Sequence, residues 1–156
     1  MVTESTIEEV LESFVNDSEA YEESLSDLMD RQPALLAFLA QESNDVLTEE
    51  EKDVLWYIIL IIITSTRRFG LSVGVLSDVD LGNNEEANWE LLQAQAKGSF
   101  REKITPFFED YTQEDLLAFV EDTLELDDDS PVTSVGRDVI FVSAKTVIDT
   151  VFLHEA

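Results

Sequence analysis

The sequence predicts an all-α fold, an irregular bundle of six to seven helices around a central, very apolar helix at about residues 49–68. Apolar residues recur at spacings of three and four along most of the chain, which is the helical period. Residues 54–63 read VLWYIILIII, and no second strand-like run bounded by turn signals is available to pair with them. The 44% share of apolar residues separates this acidic chain from disordered proteins, which combine charge with low hydrophobicity.

The length of 156 residues is typical of one domain, and we expect a single helical domain over residues 1–156. The absence of cysteine excludes disulfides, thiol nucleophiles and thiolate metal sites.

Three helices are predicted before the central one. The first has apolar residues at i, i+3, i+4, i+7 and i+8, namely Ile7, Val10, Leu11, Phe14 and Val15. The second repeats the pattern with Tyr21, Leu25, Leu28 and Met29. Pro33 favours a new first turn, and therefore a short third helix follows it.

The central helix has signals at both ends. Thr48 and Glu51 have the spacing of a capping box, and Arg67 and Arg68 in the last turn suit the negative end of the helix dipole. The ten apolar residues would cover only about 15 Å, half of a bilayer core, which predicts no membrane span. A helix that is apolar on all sides belongs in the middle of a bundle or at a subunit interface. The predicted core residues are Trp56, Ile59, Leu60 and Ile63.

The second half of the chain alternates helices with polar connections. Gly74, Gly82 and the polar run around them predict a flexible loop over residues 71–88. A helix should then run from Trp89 to Ile104 until Pro106 ends or kinks it. After one more helix, residues 126–135 form a predicted acidic linker before the last helix. That helix has one broad apolar stripe, made of Ile140, Ala144, Val147, Ile148, Val151 and Phe152.

The net charge of -26 arises from 35 carboxylates against 9 Lys and Arg. This charge repels phosphate backbones and anionic lipids, and we expect no direct nucleic-acid binding. Abundant Asp and Glu with little Lys is the composition of a salt-adapted cytoplasm, in which carboxylates hold water and their repulsion is screened. The acidic start of the chain lacks the features of a secretory signal, which predicts a cytoplasmic protein.

Familiar catalytic patterns are missing from the sequence. The only histidine, His154, lies near the C-terminus, where a surface position is expected. The five glycines match neither phosphate-binding loop pattern. We therefore predict no catalytic residue and no cofactor.

Two carboxylate motifs give an alternative. Glu8-Glu9-x-x-Glu12 and Glu50-x-x-Asp53 resemble the EExxE and ExxD elements of all-α nucleoside triphosphate pyrophosphatases of the MazG type. The resemblance implies a Mg²⁺-dependent enzyme in which these carboxylates on neighbouring helices hold the metal, and Mg²⁺ prefers such hard oxygen ligands.

The favoured hypothesis is a non-catalytic protein–protein interaction or scaffold domain. Its partner is another protein or a second copy of the chain, in a homodimer. The surface shared with the partner would be part of the central helix or the Phe107-Phe108 pair. A third hypothesis is a nucleic-acid mimic whose carboxylates imitate phosphate spacing in the cleft of a DNA-binding enzyme.

Overall fold

A computed structural model describes residues 1–41, 44–94, 98–125 and 130–153, and this part of the chain contains eight α-helices and no strand. The predicted all-α bundle is confirmed. The helices are α1 (Glu4–Asn16), α2 (Ser18–Arg31), α3 (Pro33–Leu39), α4 (Glu49–Arg68), α5 (Asp78–Ala94), α6 (Phe100–Phe108), α7 (Glu114–Thr123) and α8 (Ser134–Val151).

The eight helices exceed the predicted six to seven because the predicted helix from Trp89 to Ile104 is two helices, α5 and α6. Gly98 stands before α6 with a φ of 106°, a left-handed conformation that favours glycine. The Ser99 hydroxyl then accepts a hydrogen bond from the Glu102 N–H and caps α6. Pro106 lies inside α6, which ends two residues later at Phe108.

Helix α4 begins and ends where the sequence predicts. Thr48 and Glu51 form both hydrogen bonds of the capping box. Residues 58–63 are each at most 1% exposed, which confirms Ile59, Leu60 and Ile63 as core. Trp56, predicted as a core residue, is instead half-buried. It lies near the end of α3, on the side of α4 that faces outward. No helix in the described ranges has the length and apolar character needed to cross a membrane.

Helix α8 is a second central helix. Ile140, Ala144, Val147 and Ile148 of its predicted stripe are buried, and the burial extends beyond that stripe. Every residue from Val139 to Ile148 is buried, and α8 packs against α4, α5 and α7. Its polar residues, including Lys145 and Thr146, interrupt the apolar pattern in the sequence, although they too lie inside the bundle.

The predicted loop over residues 71–88 is wrong from Asp78 onward, where α5 begins. Leu81, Asn88 and Leu92, spaced by seven and four residues, are the buried positions of this helix. The polar residues on which the loop prediction rests bond to α8. Asn84, for example, donates to the Thr150 hydroxyl over 2.9 Å. Tertiary hydrogen bonds therefore override the low helix propensity of this segment.

Residues 71–77 are not helical, but they are attached to the bundle. The buried Gln32 side chain donates to the Gly74 carbonyl and accepts from the Leu76 N–H, both over 2.9 Å. Leu76 is 6% exposed and belongs to the core.

The predicted acidic linker over residues 126–135 lies only partly within the described residues, which exclude 126–129. Ser134 and Val135 already belong to α8, whose N-cap is Thr133. The linker therefore ends earlier than predicted, because the Thr133 hydroxyl provides a cap that accepts from the Gly136 N–H.

Truncation of a central side chain should cost stability. Ile61→Ala removes a fully buried side chain of α4 and should lower the free energy of unfolding by about 2–5 kcal/mol. Val46→Ala, at a position 60% exposed, should change it by less than about 0.5 kcal/mol. Urea unfolding followed by circular dichroism measures both, and equal effects would contradict the central position of α4.

Candidate functional site

The five carboxylates of the predicted magnesium site lie on two helices that pack together. Glu8, Glu9 and Glu12 are on α1, whereas Glu50 and Asp53 are on α4, and all five are exposed. Within the described residues, no three His, Asp or Glu side chains are grouped as they would be around a metal ion. The magnesium site stays a prediction, and His154 lies outside the described residues.

A buried polar cluster, the Lys145 cluster, joins α5, α8 and the turn after α6. Its members are Asn88, Tyr111, Lys145, Thr146 and Asp149. The Lys145 ammonium donates to Asn88 Oδ1 over 3.0 Å and to Asp149 Oδ2 over 2.8 Å. Asn88 Nδ2 donates to Thr146 Oγ1 and to Asp149 Oδ2, and the Tyr111 hydroxyl donates to Asp149 Oδ1 over 2.6 Å.

In the Lys145 cluster, the Lys145 ammonium and the Asp149 carboxylate form an ion pair. Burial raises the pKa of Tyr111 far above its ordinary value of 10.0, and the Asp149 carboxylate raises it further. Tyr111 therefore stays a hydrogen-bond donor, and its ring lies 4.7 Å from the Lys145 ammonium, in cation–π range. Both oxygens of Asp149 and both polar atoms of the Asn88 amide are used within the cluster. This arrangement fixes α5 against α8.

A second buried group is the Glu51 carboxylate, which is 1% exposed. It accepts from the Thr48 N–H, the Thr133 N–H and the Thr133 hydroxyl, each over 2.9 Å. Burial acts to raise the pKa of Glu51, but these hydrogen bonds to the charged form outweigh it and lower the pKa. Gly136 leaves the space for this carboxylate, because a Cβ at that position would overlap its oxygens. One side chain thus caps α4 and holds the start of α8 beside it.

Arg67 is the less exposed of the two adjacent arginines at the end of α4. It contacts Asp27 of α2 over 2.6 Å, and Arg31 contacts the other oxygen of Asp27 over 2.8 Å. Arg68 is exposed. The Arg67 side chain therefore joins α4 to α2 in addition to suiting the helix dipole.

A groove of about 460 Å³ lies on the surface between α1 and α7, and it is larger than the cavity of about 330 Å³ beside Arg67. We call it the α1/α7 groove. Its floor is apolar and its rim is acidic, with the lining residues Glu4, Ile7, Glu8, Leu11, Asp115, Ala118, Phe119, Asp122 and Thr123. The Glu4 N–H donates to Asp115 Oδ2 over 3.0 Å and so links α1 to α7 beside the groove. The volume lies within the usual range of ligand and peptide sites.

These features define an acidic all-helical bundle with hydrogen-bonded polar groups in its interior and an apolar groove on its surface. Compared with protein-family models, with curated proteins and with solved structures, the chain shows no significant match to any of them.

Two features of the sequence point to the Lys145 cluster and to the groove. Lys145 and Asp149 stand at i and i+4 within the most apolar part of α8, where an ion pair in the interior is the alternative to a solvent-facing pair. For the groove, the signal is that neither α1 nor α7 contains a Lys or Arg. The packing of α1 beside α7 could not be predicted from the sequence, because their contact joins residues more than one hundred positions apart.

Glu51→Gln should destabilise the protein in a pH-dependent way. The lowered pKa means that the stability due to Glu51 is fully present above its ordinary value of 4.5 and is lost as the pH falls through the folded-state pKa. At neutral pH, the substitution should therefore cost about 1.5–3 kcal/mol, the value of hydrogen bonds to a charged group. The difference from the unsubstituted protein should shrink below pH 4.5. The measurement is urea unfolding across this pH range.

The control is Glu50→Gln, at the exposed neighbouring position, which should cost less than about 1 kcal/mol. A pH-independent difference for Glu51→Gln would contradict the role given to the Glu51 carboxylate.

Lys145→Met should be strongly destabilising, because it removes the cationic partner of Asp149 and the hydrogen-bond donor of the Asn88 carbonyl oxygen. The expected loss is about 3 kcal/mol, as for breaking a buried pair from one side. Lys52→Met removes an exposed pair with Glu49 at 3.6 Å and should cost less than about 1 kcal/mol. Denaturant unfolding of both variants checks this, and a similar loss from the two would show that the Lys145 cluster does not hold α5 to α8.

Proposed function

We propose that this protein is a non-catalytic protein–protein interaction domain that binds its partner in the α1/α7 groove. The observation that carries the proposal is the combination of an apolar floor with a carboxylate rim in one open groove. Apolar contact area surrounded by a polar rim is the usual construction of a protein-binding surface.

The charge on the two groove helices supports the proposal. Helix α1 carries Glu4, Glu8, Glu9 and Glu12, and α7 carries Glu114, Asp115, Glu121 and Asp122, so that together they hold eight carboxylates and no basic residue. Such a one-signed surface repels unsuitable partners and attracts a basic one over a longer range.

The polar groups of the bundle and of the groove have different roles. The buried Lys145 cluster and Glu51 are bonded to other groups of the interior. In the groove, the polar lining consists of four carboxylates and the Thr123 hydroxyl, which donates to the Phe119 carbonyl over 2.8 Å. Apolar side chains with a rim of carboxylates suit binding better than turnover.

The partner surface proposed here differs from the one that the sequence predicts. The middle of α4 and Phe107 are covered by the chain's own helices, with Phe107 only 2% exposed and Phe108 half-buried. We therefore place the proposed contact in the groove, and a surface shared through the half-buried or exposed residues of α4 stays a prediction. The magnesium-dependent pyrophosphatase and the nucleic-acid mimic stay predictions.

Site-specific cross-linking tests the proposed function. A photo-cross-linking amino acid at Thr123 should yield a discrete cross-linked partner in cells that express the protein, and the same group at the exposed Gln93 of α5 should not. Ala118→Trp should abolish the product because the indole fills the groove. A circular-dichroism melt verifies that this variant folds. Equal products from both positions, no product, or a product that survives Ala118→Trp would contradict the proposal.

A further inference from the structure

We infer that the occupant of the α1/α7 groove is an amphipathic helix of a partner protein, with Lys or Arg on both sides of its apolar face. The inference rests on the proposed function and adds the chemistry of the partner.

The size of the groove suits a short helical contact. Its lining runs from Glu4 to Leu11 along α1 and from Asp115 to Thr123 along α7. At 1.5 Å per residue, these stretches are about 10 to 12 Å long, or roughly two helical turns. Two turns present apolar residues at i, i+3 or i+4, and i+7, which is the pattern of helices bound in grooves.

The walls favour a helix over an extended segment. A bound strand needs a row of free backbone donors and acceptors, as at the edge of a sheet. The backbone groups of α1 and α7 are used within those helices, apart from their ends. An incoming helix satisfies its own backbone and needs only apolar side chains for the floor formed by Ile7, Leu11 and Phe119.

The rim determines the charge of the partner. Glu4 and Glu8 line the α1 side of the groove, and Asp115 and Asp122 line the α7 side. Long basic side chains can lay their methylene stems on apolar surface while the charged ends reach these carboxylates. An acidic or neutral helix would partly desolvate these carboxylates without supplying a positive charge to any of them.

A second copy of the chain does not supply this helix from the residues that the structure describes. Among the described helices, α6 combines two basic residues, Arg101 and Lys103, with a short amphipathic sequence. Its apolar residues Phe100, Ile104 and Phe107 are, however, buried in its own core. The partner is therefore a different protein.

Designed peptides test the inference on the folded protein. The probe is a fluorescent peptide of about four helical turns, with Leu at i, i+3, i+4 and i+7 and Lys at the other positions. One control peptide carries Glu in place of Lys, and the other is a scrambled Leu/Lys sequence without an amphipathic face. Fluorescence anisotropy in about 0.15 M KCl, where the Debye length is about 8 Å, measures the dissociation constants.

Matched variants separate the groove from overall charge. Glu8→Gln with Asp122→Asn removes two rim charges, and Glu86→Gln with Glu90→Gln removes two exposed charges on α5. The first pair should weaken binding about fivefold or more, and the second pair less than about twofold, because only the first changes short-range contacts. Ala118→Trp should weaken binding more than about tenfold by filling the groove.

Three results would overturn the inference: no binding of the Leu/Lys peptide, equal binding of the scrambled peptide, or equal weakening by the two charge pairs. Its failure is distinguishable from that of the proposed function. If the Thr123 cross-link forms and depends on Ala118 while the Leu/Lys peptide does not bind, the groove binds a protein that is not a basic helix. If the cross-link also fails, the proposed function fails with it.

Discussion

The packing of α4 against α8 is the interaction on which the rest of the structure depends. Both helices are buried on nearly every side along their middle turns, and α8 is buried without interruption from Val139 to Ile148. Because a helix without a polar face must be covered on all sides, the other helices are arranged around this pair, α1 against α4 and α5 against α8. The short chain thereby gains a core whose central residues are no more than 1% exposed in α4.

Polar residues on the two central helices create the other constraint. A buried polar group costs free energy unless it has a partner, and each one therefore selects the element that lies beside it. Lys145 and Asp149 on α8 are met by Asn88 of α5 and by Tyr111. Glu51 of α4 is met by Thr133 at the start of α8, in the space left by Gly136. The positions of α5 and of the α8 N-terminus thus follow from a few hydrogen bonds, in addition to apolar contact.

The same contacts show how far the sequence could predict the fold. The limits of α4 were predictable because its cap and its terminal charges are local signals within one turn of each end. Helix α5 was not predictable in the same way, because Asn84 and Asn88 favour loops locally and become helical through bonds to α8, about sixty residues later. The prediction of Trp56 as a core residue was wrong because a run of apolar residues does not show which side of the helix faces outward. The groove depends on the contact of α1 with α7, which no local pattern encodes.

The uneven distribution of charge connects the fold with the proposed binding surface. Arg31, Lys52, Arg67, Lys103 and Lys145, five of the nine basic residues, pair with carboxylates of the bundle. Because α1 and α7 have no basic residue, the carboxylates along the groove lack this compensation within their own helices. At high salt concentration, the repulsion between the rim carboxylates is screened within a few ångströms. Burial of the apolar floor on binding is favourable in free energy at low and at high ionic strength. Under the proposed function, the rim would select the partner at short range and the floor would supply most of the affinity, a division that would allow a strongly acidic protein to bind another protein in concentrated salt.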